Sequence, residues 1–158
     1  MAITQAMTNS FKVDILSGGM NFNTTNRALT SNTQDTFKIA LYYPAASASL
    51  DATTTAYTAT AEVSSSGTGY TTGGNTLSIS QVPTSSGTPS TTAYINFSNT
   101  SWGSTASFSA DGALIYNSSN SNKSVCVLNF GGTKTVTSGT FTIQFPTAGT
   151  GSSIIQIA

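Results

Sequence analysis

The sequence predicts an all-β fold, an antiparallel two-sheet sandwich of jelly-roll or Greek-key type with about nine or ten strands. Three observations lead there. Short runs in which apolar and polar residues alternate recur along the chain. Gly, Asn, Ser, Asp and Pro punctuate those runs, as they do between strands. Leu, Glu, Lys, Gln and Arg, the good helix formers after Ala, are few, so the helical crossovers of a parallel sheet are not expected.

Residues 1–9 are polar and weakly patterned and are expected as an N-terminal arm, with residues 10–158 forming one β-sandwich domain. The first predicted strand, 10–16, sets Phe11, Val13 and Ile15 against Lys12 and Asp14. The polar stretch 18–34 is a second candidate arm. Residues 36–43 alternate Phe37, Ile39 and Leu41 with Lys38, Ala40 and Tyr42, and Pro44 stops them because proline cannot donate to a ladder. A third run, 55–63, leads into a Ser/Gly turn at 64–69. Strands at 70–72 and 75–82 follow, parted by Gly73 and Gly74. Residues 82–92 hold two of the four prolines and read as a loop, and 93–97 as a strand.

Trp102 lies in turn-like company at 99–104. Over 106–116, Asp111-Gly112 between apolar flanks predicts a two-residue hairpin turn. A polar loop at 117–122 precedes a strand at 124–130, with Cys126, Leu128 and Phe130 on one face, closed by Gly131-Gly132. Strands at 140–145, ended by Pro146, and at 153–157 complete the set. No fixed-period repeat suggests a propeller or solenoid.

Composition narrows the function. The chain has 158 residues, five basic and five acidic, no histidine and one cysteine. Only 6% of it is charged, against about 25% in an ordinary domain. Its 29 Thr and 25 Ser make a third of the chain small hydroxyl residues. This length suits one domain burying roughly 70% of its unfolded surface. Aromatic residues recur throughout, so a folded core beneath a polar, uncharged skin is expected rather than disorder. Without histidine, most acid/base, nucleophilic and metal chemistries lack their usual side chains. Zero net charge with no basic run argues against nucleic acid as a partner. The chain start lacks the pattern of a secretory leader, and no apolar window of roughly 18 residues offers a membrane helix. Synthesis in the cytoplasm, with release by lysis, is the expectation.

Candidate sites each have a plainer structural reading. Asp14 and Glu62 read as solvent-facing, Asp111 as a turn residue, and Asp35 and Asp51 as residues preceding structural starts, so a paired-carboxylate catalyst is not expected. No Asp-x-Asp loop suggests calcium. Cys126 has no activating neighbour in sequence and shares an apolar face, the setting of a buried, inert thiol. Gly67, Gly69, Gly73 and Gly74 lack the lysine and helix of a phosphate cradle. Five Asn-x-Ser/Thr triplets are about the number that composition alone produces. Tyr42, Tyr43 and Trp102 are the candidate interface or sugar-stacking residues, although strand aromatics more often pack in cores and at sheet edges. No catalytic, cofactor-binding or metal-ligating residue is assigned, and no cofactor.

Several stretches together carry a resemblance. Residues 35–42 (DTFKIALY), 53–63 (TTTAYTATAEV) and 67–77 (GTGYTTGGNTL) precede 97–102 (FSNTSW) and 110–118 (ADGALIYNS). Residues 139–145 (GTFTIQF) and 154–158 (IIQIA) end the series. The chain resembles a family of small virion structural proteins of tailed bacteriophages, over nearly its whole length from residue 10. The resemblance implies a non-enzymatic structural protein located in the virion. A capsid decoration, or cement, protein is the first expectation, bound to the major capsid protein as a homo-oligomer with a trimer favoured. A tail, neck or fibre protein, with host-surface carbohydrate binding as a further option, is the alternative. A surface nearly free of charge suits close association, and Thr-rich strand edges can pair across subunits.

Overall fold

The computed structural model describes residues 3–23, 33–43, 50–85 and 91–158. Its elements are β1 (Ala6–Met7), α1 (Asn9–Leu16), β2 (Phe37–Tyr42), β3 (Asn75–Leu77), β4 (Ile79–Ser85), β5 (Ala93–Phe97), β6 (Thr100–Asn117), β7 (Lys123–Ile143) and β8 (Ile155–Ile157). All strand pairs are antiparallel. They form a five-stranded sheet in the order β1-β7-β6-β2-β3 and a three-stranded sheet in the order β4-β5-β8. The all-β, antiparallel expectation holds. One apolar core joins the sheets: Phe37, Ile39 and Leu41 of β2 share it with Ile95 and Phe97 of β5 and Ile155 of β8. Among the described residues, no helix is long and apolar enough to cross a membrane.

Among the described residues there are eight strands against the expected nine or ten, and two predicted breaks fall inside long strands. The Asp111-Gly112 hairpin is absent. Gly112 instead lies inside β6, facing Tyr42 on one side and Asn129 on the other. A Cβ there would stand 2.3 Å from the Leu128 carbonyl oxygen and 2.8 Å from Ile3 Cγ2, so the glycine permits close packing rather than a turn. The stretch around Trp102 likewise belongs to β6. Gly131 and Gly132, at φ 68° and 131°, do not end β7. They open a bulge where β7 carries extra residues between Asn129 and Lys134 against Gly112 and Ala110 of β6. A second bulge lies near Ser138, at φ 46°.

The predicted strand at 10–16 is a helix. The Thr8 side chain caps it by accepting from the Phe11 amide at 3.4 Å, and Phe11 and Asp14, three apart, are its buried residues. Helical spacing thus takes precedence over the 11-13-15 alternation, leaving Val13 and Leu16 exposed. The run 55–63 forms only isolated bridges, at Ala56 and Glu62, and 70–72 forms no strand. The run 75–82 divides at Ser78 into β3 and β4, which belong to different sheets. β4 then extends to Ser85 into the predicted loop, where an edge position tolerates Pro83. The expected strand at 140–145 is the end of β7.

The expected N-terminal arm is part of the domain from Ile3 onward. β1 pairs with β7, the Thr4 amide donates to the Leu50 carbonyl at 2.9 Å and the Thr8 amide to that of Val125 at 3.0 Å. In the second candidate arm, Phe22 stacks on Phe37 with ring centroids 4.4 Å apart. Residues 1–2 and 24–32 of these arms lie outside the described residues. Cys126 is buried, and desolvation pushes its thiol up to about 12. The register places Ile115 opposite Cys126 and Tyr116 opposite Ser124, leaving Val125 bulged, so Val125 and Cys126 both join the main core.

Candidate functional site

A buried polar cluster centres on Glu62, the sole glutamate. Expected at the surface, it is buried, and it bridges to Tyr42 at the end of β2. A positive φ of 61° at Ala61 turns the chain so that its carboxylate points inward. Oε2 accepts from the Tyr57 hydroxyl at 2.6 Å. Oε1 accepts from the Tyr70 hydroxyl at 2.7 Å and the Gly73 amide at 2.6 Å. The Leu41 amide donates to the Tyr70 hydroxyl at 3.0 Å, and the Tyr116 hydroxyl donates to the Gly73 carbonyl at 2.8 Å. The Tyr57 and Tyr116 rings stack 4.8 Å apart.

Burial first, and the Glu62 charge second, push the phenols of Tyr42 and Tyr116 upward, that of Tyr116 to about 12. Burial and the hydrogen bond to Glu62 do the same at Tyr57 and Tyr70. With three donors on two oxygens, the carboxylate cross-links two loops to β2 and stays the acceptor throughout. Its three donors lie within eleven residues of Glu62, but irregular loop backbone rather than a strand or helix period brings them together, so no periodic pattern announces the cluster.

Three of the other carboxylates are also held by groups of the chain, Asp51 at the surface. Asp14, expected to face solvent, is buried and held by Lys123 Nζ at 2.5 Å. Asp35 accepts from the Asn21 amide at 2.8 Å and Asn117 Nδ2 at 2.7 Å. Asp51 accepts from the Thr53 hydroxyl at 2.6 Å and amide at 2.7 Å, which lower its pKa. Asp111 is a β6 residue rather than a turn residue. Four of the five acidic side chains therefore bind groups of their own chain.

The sequence-predicted aromatics are not brought together as an exposed platform. Tyr42 is buried and donates to the Thr58 carbonyl at 2.7 Å. Trp102 is buried with its ring 5.9 Å from both Tyr70 and Phe141, and its indole N–H has no partner among the described residues. Tyr43 alone of the three is exposed. Neither buried ring presents a face for a sugar to stack on.

The surface that remains is the β6–β7 hairpin. Its outer face carries hydroxyl rungs: Ser101 and Thr142 at 2.8 Å, and Ser109 and Thr135 at 2.7 Å. β1 covers the outer edge of β7 only at Cys126 and Val127. From Asn129 to Ile143 that edge pairs with no strand among the described residues, and Lys134 is its one charge. Edges of this kind are templates for pairing with another chain. Sequence reading anticipated Thr-rich edges but not this one, because it ended the strand at Gly131. No family model matches the chain, and no curated protein or solved structure matches it either.

Proposed function

We propose that this chain is a non-enzymatic structural protein of a bacteriophage particle, a capsid decoration protein that binds major capsid subunits and holds the shell together. The observation that carries the reading is the inward use of charge. Glu62 and Asp14 are buried and bound within the fold and Asp35 is half-buried and bound, while the long hairpin presents hydroxyls and a free strand edge. A surface with little charge repels neighbouring subunits weakly, and its edge amides and carbonyls supply directional bonds. Many such contacts stabilise a shell without strong individual bonds. The resemblance along the chain supports the same reading.

The test is particle stability and copy number. Particles assembled without the protein are expected to burst at lower temperature or milder osmotic shock, and adding the purified protein back should restore them. Particles of unchanged stability would overturn the cement role. A copy number of a handful per particle, rather than one on the scale of the capsid subunits, would move the protein to the neck, tail or a fibre.

A further inference from the structure

We propose that the β7 edge around Thr135 pairs antiparallel with the same edge of a second copy of this chain, forming a twofold dimer. The inference does not depend on the particle role, since the pairing belongs to the isolated protein. Between the two bulges, Lys134, Thr135 and Val136 keep unbroken register with Ala110, Ser109 and Phe108 of β6. The run 133–137 thus lies between two bulges, which confine pairing to it.

The run Thr133-Lys134-Thr135-Val136-Thr137 is self-complementary in that geometry. A twofold axis at Thr135 sets Thr135 opposite its own copy, Thr133 opposite Thr137, and Lys134 opposite Val136. Thr–Thr pairs across strands are favourable, and the lysine stem covers the valine while its ammonium stays in water. A register centred on Lys134 would oppose two like charges and is disfavoured. The dimer contact is isologous, so each β7 edge is used once and growth stops at two copies.

The side of the edge also fits. Lys134 lines a shallow trough of about 440 Å³ with Phe130, Phe141 and Ile143. In the proposed register, the partner's valine at this run lies beside Lys134 and meets those apolar rings. The other sheet edges fit less well: β3 and β8 have three residues each, and β4 carries Pro83 and two register shifts. The proposed assembly is a twofold pair, where the resemblance implied a trimer.

Analytical ultracentrifugation of the purified full chain tests the pairing. The wild type is expected to dimerise reversibly. Thr135→Lys and Thr135→Glu each place like charges at the axis and should weaken the dimer at least about 10-fold. An equimolar mixture of the two should restore it. Thr135→Gln should leave it intact, and Thr135→Cys should oxidise to a covalent dimer. Circular dichroism checks that each variant is folded, as an exposed position predicts. A monomeric wild type would overturn the proposal. So would a trimer, or a dimer indifferent to both charged variants that yields no disulfide at position 135.

Discussion

Phe130 and Phe141 lie in one strand, yet their ring centroids are 6.2 Å apart. Eleven residues of straight strand would separate them by about 36 Å. The bulges at Gly131-Gly132 and Ser138 therefore coil β7, bringing both ends of its outer half over one apolar patch. Phe141 also meets Trp102 at 5.9 Å and Phe108 at 5.2 Å.

Phe141→Ala is expected to destabilise the protein by about 2 kcal/mol, less than a fully buried phenylalanine because the ring is half-buried. Phe130→Ala, with fewer ring contacts, should cost about 1 kcal/mol. Urea unfolding measures both. Equal losses would contradict the central place given to Phe141.

Glu62→Ala strands the buried Tyr70 hydroxyl, the part-buried Tyr57 hydroxyl and the buried Gly73 amide and should cost about 2–4 kcal/mol. Glu62→Gln keeps the shape but swaps one acceptor for a donor, at about 1–2 kcal/mol. Tyr70→Phe removes both a donor to Glu62 and the acceptor of the Leu41 amide, again at about 1–2 kcal/mol. A double-mutant cycle between positions 62 and 70 should show strong coupling, and strictly additive losses would contradict the cluster.

Two glycines with similar backbones should respond differently to alanine. At Gly74, φ is 69° and a Cβ would stand 1.8 Å from the Ile39 carbonyl oxygen, so Gly74→Ala should prevent stable folding. At Gly67, φ is 68° but nothing lies within 4 Å. Gly67→Ala should cost only about 1 kcal/mol, the backbone penalty alone. Soluble expression and thermal melting compare them directly.

Stability should fall at high pH. Burial raises Tyr116 and Cys126 to about 12 from ordinary values of 10.0 and 9.0, and Tyr42, Tyr57 and Tyr70 are raised as well. The unfolded chain ionises these groups first, so the folded state binds more protons between those values. Their contribution is full below about pH 9 and is lost as pH climbs toward 12. The urea midpoint should drop progressively across that range, and a flat midpoint would contradict the burial. Cys126 should resist alkylation until the protein unfolds.

The sheet-forming character was legible in the residues: alternation located β2 and β5, and the polar loop at 117–122 matches the connection between β6 and β7. The positions of breaks were not. Asp111-Gly112 is a hairpin signature in isolation, but the Leu128 carbonyl and Ile3 pack where a Cβ would stand, and only the assembled sheet contains them. Residues 10–16 suit a strand or a helix by local pattern, and a buried Asp14 paired with Lys123 becomes intelligible only when the helix is docked on β7.

By itself, the sequence determined an all-β chain with little charge and no histidine, because composition and short-range alternation act locally. Tertiary structure decided where that little charge goes and which edge stays open. Asp14 turns inward because Lys123, distant in sequence, satisfies it. Glu62 does so because the folded loop before β3 wraps its donors around it against β2 and β6, and β7 stays exposed because β1 is only two residues long. Those outcomes depend on how loops and strands pack in three dimensions, which the alternation of residues along the chain does not encode.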